Sequence, residues 1–185
     1  MLGSSSNQMS NLWVNDREFS EFIALSQQHS TKNNDTSARI PRKLHFIWLG
    51  SSLPDKFSAH VNHWKEIHSD WEFRMWNDAD ADAFMLNDNN GDERLTLHQY
   101  TNAHNYGLKS DILRYELLLE YGGVYCDVDY ECLKSLNTLL NSGCDVFACV
   151  SNTRSDVLEI NNGIIGAASG HPLLANIVNK ISKLN

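Results

Sequence analysis

The chain has 185 residues, with 15 Lys plus Arg against 23 Asp plus Glu and a formal net charge of −8. That length suits one domain with a real core, removing roughly 70 % of the unfolded surface from water. The acidic balance excludes nucleic acid as the main partner, because phosphate recognition needs a basic footprint; 42 % hydrophobic residues exclude a disordered chain, and no apolar run approaches the ~20 residues of a membrane span.

Residues 1–38 are rich in Ser, Asn, Gln and Thr, with no basic stretch and apolar core of a secretory signal. They read as a polar tail, with a short helix expected over Asp16–Gln28 on the apolar side Phe19, Phe22, Ile23 and Leu25. The regular pattern starts at Arg39. Lys43–Leu49 is an apolar run stopped by Gly50, so it reads as a buried strand. Leu53-Pro54-Asp55 opens a helix to His68, with Phe57, Val61, Trp64 and Ile67 along its inner side. Trp71–Trp76 alternates large apolar and polar residues as a second strand, and Asn77-Asp78 begins a capped helix to Leu86. A polar loop, Asn87–Arg94, follows. Ser110–Tyr121 is apolar around most of its circumference, so it predicts a deeply buried helix stopped by Gly122-Gly123. Val124–Asp129, Asp145–Val150 and Gly163–Ala168 read as three further strands, and His171-Pro172 starts a last helix to about Lys183. Strands alternating with helices predict an α/β fold with a mainly parallel central sheet flanked by helices. Such sheets bind ligands at the carboxyl ends of their strands.

Cys126, Cys132, Cys144 and Cys149 show no C-x-x-C spacing and read as structural thiols in a reducing compartment. His60, His63 and His68 lie close together, and His60 and His63 would share a helix face. They read as the wet flank of an amphipathic helix rather than a metal site. Together with the polar N-terminus, this composition leads to the expectation of a cytoplasmic enzyme or an exported effector.

The sharpest chemical feature is Asp127-Val128-Asp129, at the end of a strand. Residues two apart on a strand point the same way, so both carboxylates are expected to face one site. Two like charges held together favour a cation, and Mg²⁺ or Mn²⁺ takes oxygen ligands shared with substrate phosphates. Just upstream, Asp111 and Arg114 share one face of the helix Ser110–Tyr121. Arg114 stands inside an apolar run, where a charge should be paired or functional. It can donate a fork to hydroxyl or phosphate oxygens.

The string SDILRYELLLEYGGVYCDVD, preceded by IPRKLHFIWLG and followed by NNGIIGAASGHP, resembles the DXD-containing sugar-transfer enzymes. It is similar to glycosyltransferase family 32, with its Och-type and inositol-phosphoceramide mannosyltransferases, and to the catalytic domains of the clostridial glucosylating toxins. The resemblance covers residues 39–183. It implies a GT-A fold, a nucleoside diphosphate sugar donor, and Mn²⁺ or Mg²⁺. Residue by residue it implies that Ile47 and Trp48 lie against the nucleobase, and that Asp111 and Arg114 bind the donor sugar and ribose. Tyr125 lies near the donor, Asp127 contacts ribose or sugar and the metal through water, Asp129 is the direct metal ligand, and Asn162 belongs to the N-G-x-I-x-A block. His171 reads as a helix start in the G-H-P block.

The expected reaction moves a hexose to an acceptor hydroxyl of a glycan, lipid or protein, with retention of anomeric configuration. Members of the family usually continue beyond the point matching Asn185, so the acceptor region is expected to be incomplete in this chain. Three other readings stay open: a sugar-nucleotide-binding module or inactive remnant, an effector that glycosylates a host protein, and a metal-dependent phosphohydrolase.

Overall fold

The computed structural model of the protein describes residues 39–87, 93–154 and 157–184. The polar stretch 1–38, with the helix expected at Asp16–Gln28, lies outside the described residues. In chain order the elements are β1 (Lys43–Ile47), α1 (Asp55–Ile67), β2 (Glu72–Trp76), α2 (Asp78–Leu86), α3 (Leu97–Thr101), α4 (Tyr106–Tyr121), β3 (Gly123–Cys126), α5 (Asn137–Leu140), β4 (Val146–Arg154), β5 (Val157–Ala167) and α6 (Pro172–Ile181). α3 and α5 have no counterpart in the sequence reading. They span 5 and 4 residues, too few for an apolar period to register.

Among the described residues the strands form one sheet in the order β2-β1-β3-β5-β4. β2, β1 and β3 are parallel, while β5 runs antiparallel to both β3 and β4. For the β4–β5 pair the short link from Arg154 to Val157 decides this, because parallel neighbours need a crossover of a dozen or more residues. The α/β architecture is therefore as expected, with its parallel part in the β2-β1-β3 half and a long hairpin completing the sheet.

Both faces of the sheet are covered, following strand alternation. Leu44 and Phe46 of β1, with Val124 and Cys126 of β3, pack with Val61 and Trp64 of α1. Ile47 of β1, Tyr125 of β3 and Ile165 of β5 face the other way, onto α2, α4 and α6. The chain thus leaves β1 toward one face and returns to β3 from the other. Their adjoining carboxyl ends form the crevice that α/β sheets use for ligands.

Helix α4 is the centre of the second layer. Asn105 caps it, its Oδ1 accepting the Leu108 N–H at 2.8 Å, so it begins before the expected Ser110. Ile112 to Leu118 are all buried. Each fully buried leucine there contributes about 1.5–3 kcal/mol. Gly122 and Gly123 follow with φ of 61° and 99°, a conformation that lets the chain pass at once from helix into β3. A Cβ on Gly123 would stand 2.6 Å from the Lys43 carbonyl oxygen.

Two sequence expectations are corrected by packing. His68 is buried rather than on a wet flank: its Nδ1 donates to the Trp64 carbonyl at 3.0 Å and its Nε2 accepts the Leu136 N–H at 2.9 Å. It caps α1 and pins the following loop. His63 is exposed and lies 3.6 Å from Glu66. Cys126 and Cys132 are buried as expected of structural thiols, whereas Cys149 is exposed; all four are free.

His45 is fully buried on β1. Its Nε2 donates to the Gly122 carbonyl at 3.0 Å, and its Nδ1 accepts the Trp76 indole N–H at 3.2 Å. This arrangement requires the neutral ring, because a proton on Nδ1 would face another donor. Burial lowers its pKa from 6.5 to about 4. Between those values the unfolded chain takes up a proton that the folded chain refuses. Stability should therefore fall as pH drops from about 6.5 toward 4, by at most about 3 kcal/mol from this group. Denaturant titrations across that window measure it. His45→Gln, which keeps one donor and one acceptor, should remove this part of the slope.

Candidate active site

The site is built where β3 ends, α4 begins its buried run, and β5 bends. Strand β3 stops at Cys126, so Asp127-Val128-Asp129 does not continue it. The Tyr130 N–H donates to the Asp127 carbonyl at 3.1 Å and closes a turn. The two acids therefore do not share the orientation expected of strand residues. Asp127 points inward and is partly buried, Val128 is buried, and Asp129 is exposed.

Strand β5 supplies the third wall through an irregularity. Along β4, Ala148 pairs with Ile165 and the next residue, Cys149, pairs with Asn161. Asn162, Gly163 and Ile164 are thus bulged away from β4. Such bulges re-aim backbone and side chains. Here they turn the Gly163 carbonyl to the Asp127 N–H at 2.7 Å and the Asn162 carbonyl to Arg114.

Arg114 joins all three elements. Its Nη2 lies 2.8 Å from Asp111 Oδ1 and its Nη1 3.5 Å from Asp127 Oδ1. Nη1 also donates to the Asn162 carbonyl at 2.7 Å, and Nε donates to the Ser110 carbonyl at 3.2 Å. The guanidinium carbon stands 4.3 Å from the Tyr125 ring centroid, a cation–π contact. Only 6 % of the side chain is exposed. Burial opposes its charge, but Tyr125, Asp111 and Asp127 outweigh that and raise its pKa. The Asn162 side-chain amide donates to Asp111 Oδ1 at 3.1 Å. The Tyr125 hydroxyl donates to Asp127 Oδ1 at 2.5 Å. Burial pushes the Tyr125 phenol well up, so it stays a donor. Burial also raises the Asp127 carboxyl, against the pull of Arg114 and of the Tyr125 hydrogen bond.

Five residues singled out in the sequence, Asp111, Arg114, Tyr125, Asp127 and Asn162, are thus joined in one network. Three others lie beside it. Asp129 follows on the turn and forms no ion pair among the described residues. Ile47 is buried at the end of β1, the strand next to β3. Trp48 is half-buried; its indole N–H bonds Ser51 Oγ at 3.2 Å and the Ser52 carbonyl at 3.1 Å, and its ring lies 5.4 Å from that of Phe57.

The sequence reading missed two neighbours of the network and one tyrosine beside the loop after β1. Tyr106, at the start of α4, lies so close over Gly50 that a Cβ there would be 2.2 Å from its ring. Tyr130 and Asn161 flank the acidic turn. Their only signal in the sequence is adjacency, Tyr130 to the second acid and Asn161 to Asn162.

Asp127 uses Oδ1 for both Arg114 and Tyr125, which leaves Oδ2 clear of those two contacts. With the exposed Asp129 this makes a small set of hard oxygen donors. Three carboxylates against one guanidinium carry a formal excess of two negative charges. Among the described residues no group of three or more His, Cys, Asp and Glu could enclose a metal. The donor set fits a hard divalent cation that completes its shell with phosphate oxygens and water, and does not fit a closed protein cage.

A family model for the glycosyltransferase sugar-binding region containing a DXD motif matches residues 54–144. Over that segment, just under half of its length, the chain is similar to the DXD glycosyltransferases. Inositol phosphoceramide mannosyltransferase 1 of Schizosaccharomyces pombe is 31 % identical over 165 residues, 84 % of this chain and 49 % of that protein. Inositol phosphoceramide mannosyltransferase 3 of the same yeast is 29 % identical over 151 residues, 81 % of this chain and 39 % of that protein. The chain therefore spans half or less of the length of these relatives. The catalytic domain of alpha-toxin from Clostridium novyi superposes with a TM-score of 0.62 at 13 % identity, over 90 % of this chain and 61 % of that one. The fold is accordingly of the GT-A type.

Replacing Arg114 tests the network directly. Arg114→Met would leave Asp111, Asp127 and the Asn162 carbonyl without their shared donor. A loss of about 3–5 kcal/mol is expected in denaturant unfolding, the cost of breaking a buried ion pair from one side.

Proposed function

We propose that this domain transfers a hexose from a nucleoside diphosphate sugar to an acceptor hydroxyl, with a divalent cation and with retention of configuration. The observation that carries the reading is the Arg114 network, set at the carboxyl end of β3 beside the uncommitted carboxylate of Asp129. A buried arginine locked between two carboxylates presents rigid hydrogen-bonding groups to a polyhydroxylated ligand. Rigid groups orient a ligand at low cost at the moment of reaction.

In this reading Asp111 and Arg114 hold the sugar hydroxyls, and the Asn162 amide keeps Asp111 in place. Tyr125 fixes Asp127. Asp129, with Asp127 through water, would hold Mn²⁺ or Mg²⁺, which would supply a Lewis acid for the charge of the departing diphosphate. Tyr106 and Trp48, near the end of β1, offer aromatic surface for the base. Following the resemblance to retaining transferases, this reading assigns no side chain of the network as a covalent nucleophile. The leaving phosphate is the base that takes the acceptor proton. The mannosyltransferase relatives make mannose the first donor to test.

The test is a thermal-shift panel of nucleoside diphosphate hexoses, mannose donors included, with and without Mn²⁺. Stabilisation by one donor class only with Mn²⁺ present is the expected result, since a ligand of the native state stabilises it by mass action. Asp129→Asn should keep the melting temperature of the free protein within about 2 °C, because the side chain is exposed and unpaired. It should abolish the Mn²⁺-dependent part of the shift. No donor binding by the wild type, or full turnover by Asp129→Asn, would overturn the proposal.

A further inference from the structure

The turn that carries Asp129 is held at its start by the Arg114 network and at its end by contacts outside it. At its start, Asp127 is fixed by Arg114, Tyr125 and the Gly163 carbonyl. At its end stands Tyr130. The Tyr130 carbonyl accepts the indole N–H of the buried Trp64 at 2.8 Å, which ties it to α1. Its hydroxyl donates to Asn161 Oδ1 at 3.1 Å, which ties it to β5. The same Asn161 oxygen accepts the Gly163 N–H at 2.6 Å. One side-chain oxygen therefore couples the end of the turn to the bulge that aims the Asn162 carbonyl at Arg114. The packing there is close: a Cβ on Gly163 would lie 2.6 Å from the Tyr130 hydroxyl, 2.8 Å from Asn161 Oδ1 and 2.8 Å from Asp127 Oδ2.

Asp129 sits between these two anchors with no side-chain hydrogen bond or ion pair to another described residue. The direction in which its side chain leaves the chain is set by the backbone of the turn. We infer that Tyr130 and Asn161 are positioning residues for Asp129: their hydrogen bond sets the turn so that the Asp129 carboxylate meets a bound cation without reorganisation. The inference rests on the reading of Asp129 as a cation ligand. A ligand residue on a fixed backbone binds more tightly than one that must be ordered on binding, because less conformational entropy is lost. Tyr130 itself touches neither cation nor sugar in this account.

The experiment measures uptake of Mn²⁺ in the presence of saturating uridine or guanosine diphosphate, in separate arms, by loss of the free Mn²⁺ paramagnetic resonance signal. Wild type is compared with Tyr130→Phe, Asn161→Ser and the double variant, and the melting temperature of each free protein is recorded. Tyr130→Phe keeps the ring and loses one hydrogen bond. It should bind Mn²⁺ about fivefold more weakly, the factor that one net hydrogen bond carries, with its melting temperature within about 2 °C of wild type. The double variant should bind no more weakly than the weaker single variant, because both lose the same bond. Unchanged Mn²⁺ affinity in Tyr130→Phe, or additive losses in the double variant, would overturn the inference and leave the proposed function standing. No Mn²⁺ uptake by wild type in either arm would overturn both.

Discussion

The organisation of this domain depends on one buried positive charge. Arg114 lies within an apolar helix, and a guanidinium there is tolerable only if its donors are satisfied. The chain meets that demand from three directions. Asp111 and the Ser110 carbonyl come from the same helix, Asp127 from the turn after β3, and the Asn162 carbonyl from the bulge in β5. Because these acceptors are spread over three elements, satisfying Arg114 also fixes how those elements meet. Apolar packing that replaced Arg114 and both of its acids together could fill the same volume, and such whole-pair replacements are often neutral for stability. What it could not do is hold carboxylates of two separate elements at the mouth of the sheet.

A second polar contact does comparable work inside the same layer. The neutral His45 ring links β1 to the end of α4 through Gly122 and to β2 through Trp76. It fixes where α4 ends, just as Arg114 fixes how its middle meets the sheet. Between the two anchors run the fully buried Leu117 and Leu118. The second half of the helix is therefore bounded by polar anchors and held along its length by apolar area. That is a sound way to keep Asp111 and Arg114 at constant distance from β3.

Much of this was legible in the sequence, and the reasons it was legible are physical. An arginine in a run such as DILRYELLLEY has to be answered by an acid, and Asp111 stands three residues before it on the same face; Asp127 is marked by its D-x-D spacing, which does not reveal it as a partner of Arg114. The strands β1, β2 and β3 and the helices α1, α2, α4 and α6 follow from apolar period and from caps at Asn77 and His171. The remaining features come from contacts between distant residues. The antiparallel β5 depends on a link too short for a crossover, which was hidden because the strand reading stopped at Val150 and resumed at Gly163. The bulge at Asn162–Ile164 exists only relative to β4. The turn at Asp127–Tyr130 replaces strand geometry because Tyr130 finds Trp64 and Asn161, 66 and 31 residues away. No local pattern encodes such partners. The same is true of His68, whose place on α1 looks wet until Leu136 arrives to cover it.

Gly163 has a consequence for how this site can change over evolutionary time. The space a methyl group would need is already taken by oxygens of Tyr130, Asn161 and Asp127. Position 163 and position 130 therefore cannot drift independently. A side chain at position 163 would need all three of these oxygens to move, so Gly163, Tyr130, Asn161 and Asp127 are constrained as a set. Lineages that adopt another combination would keep the arginine and the carboxylates while rebuilding what holds them.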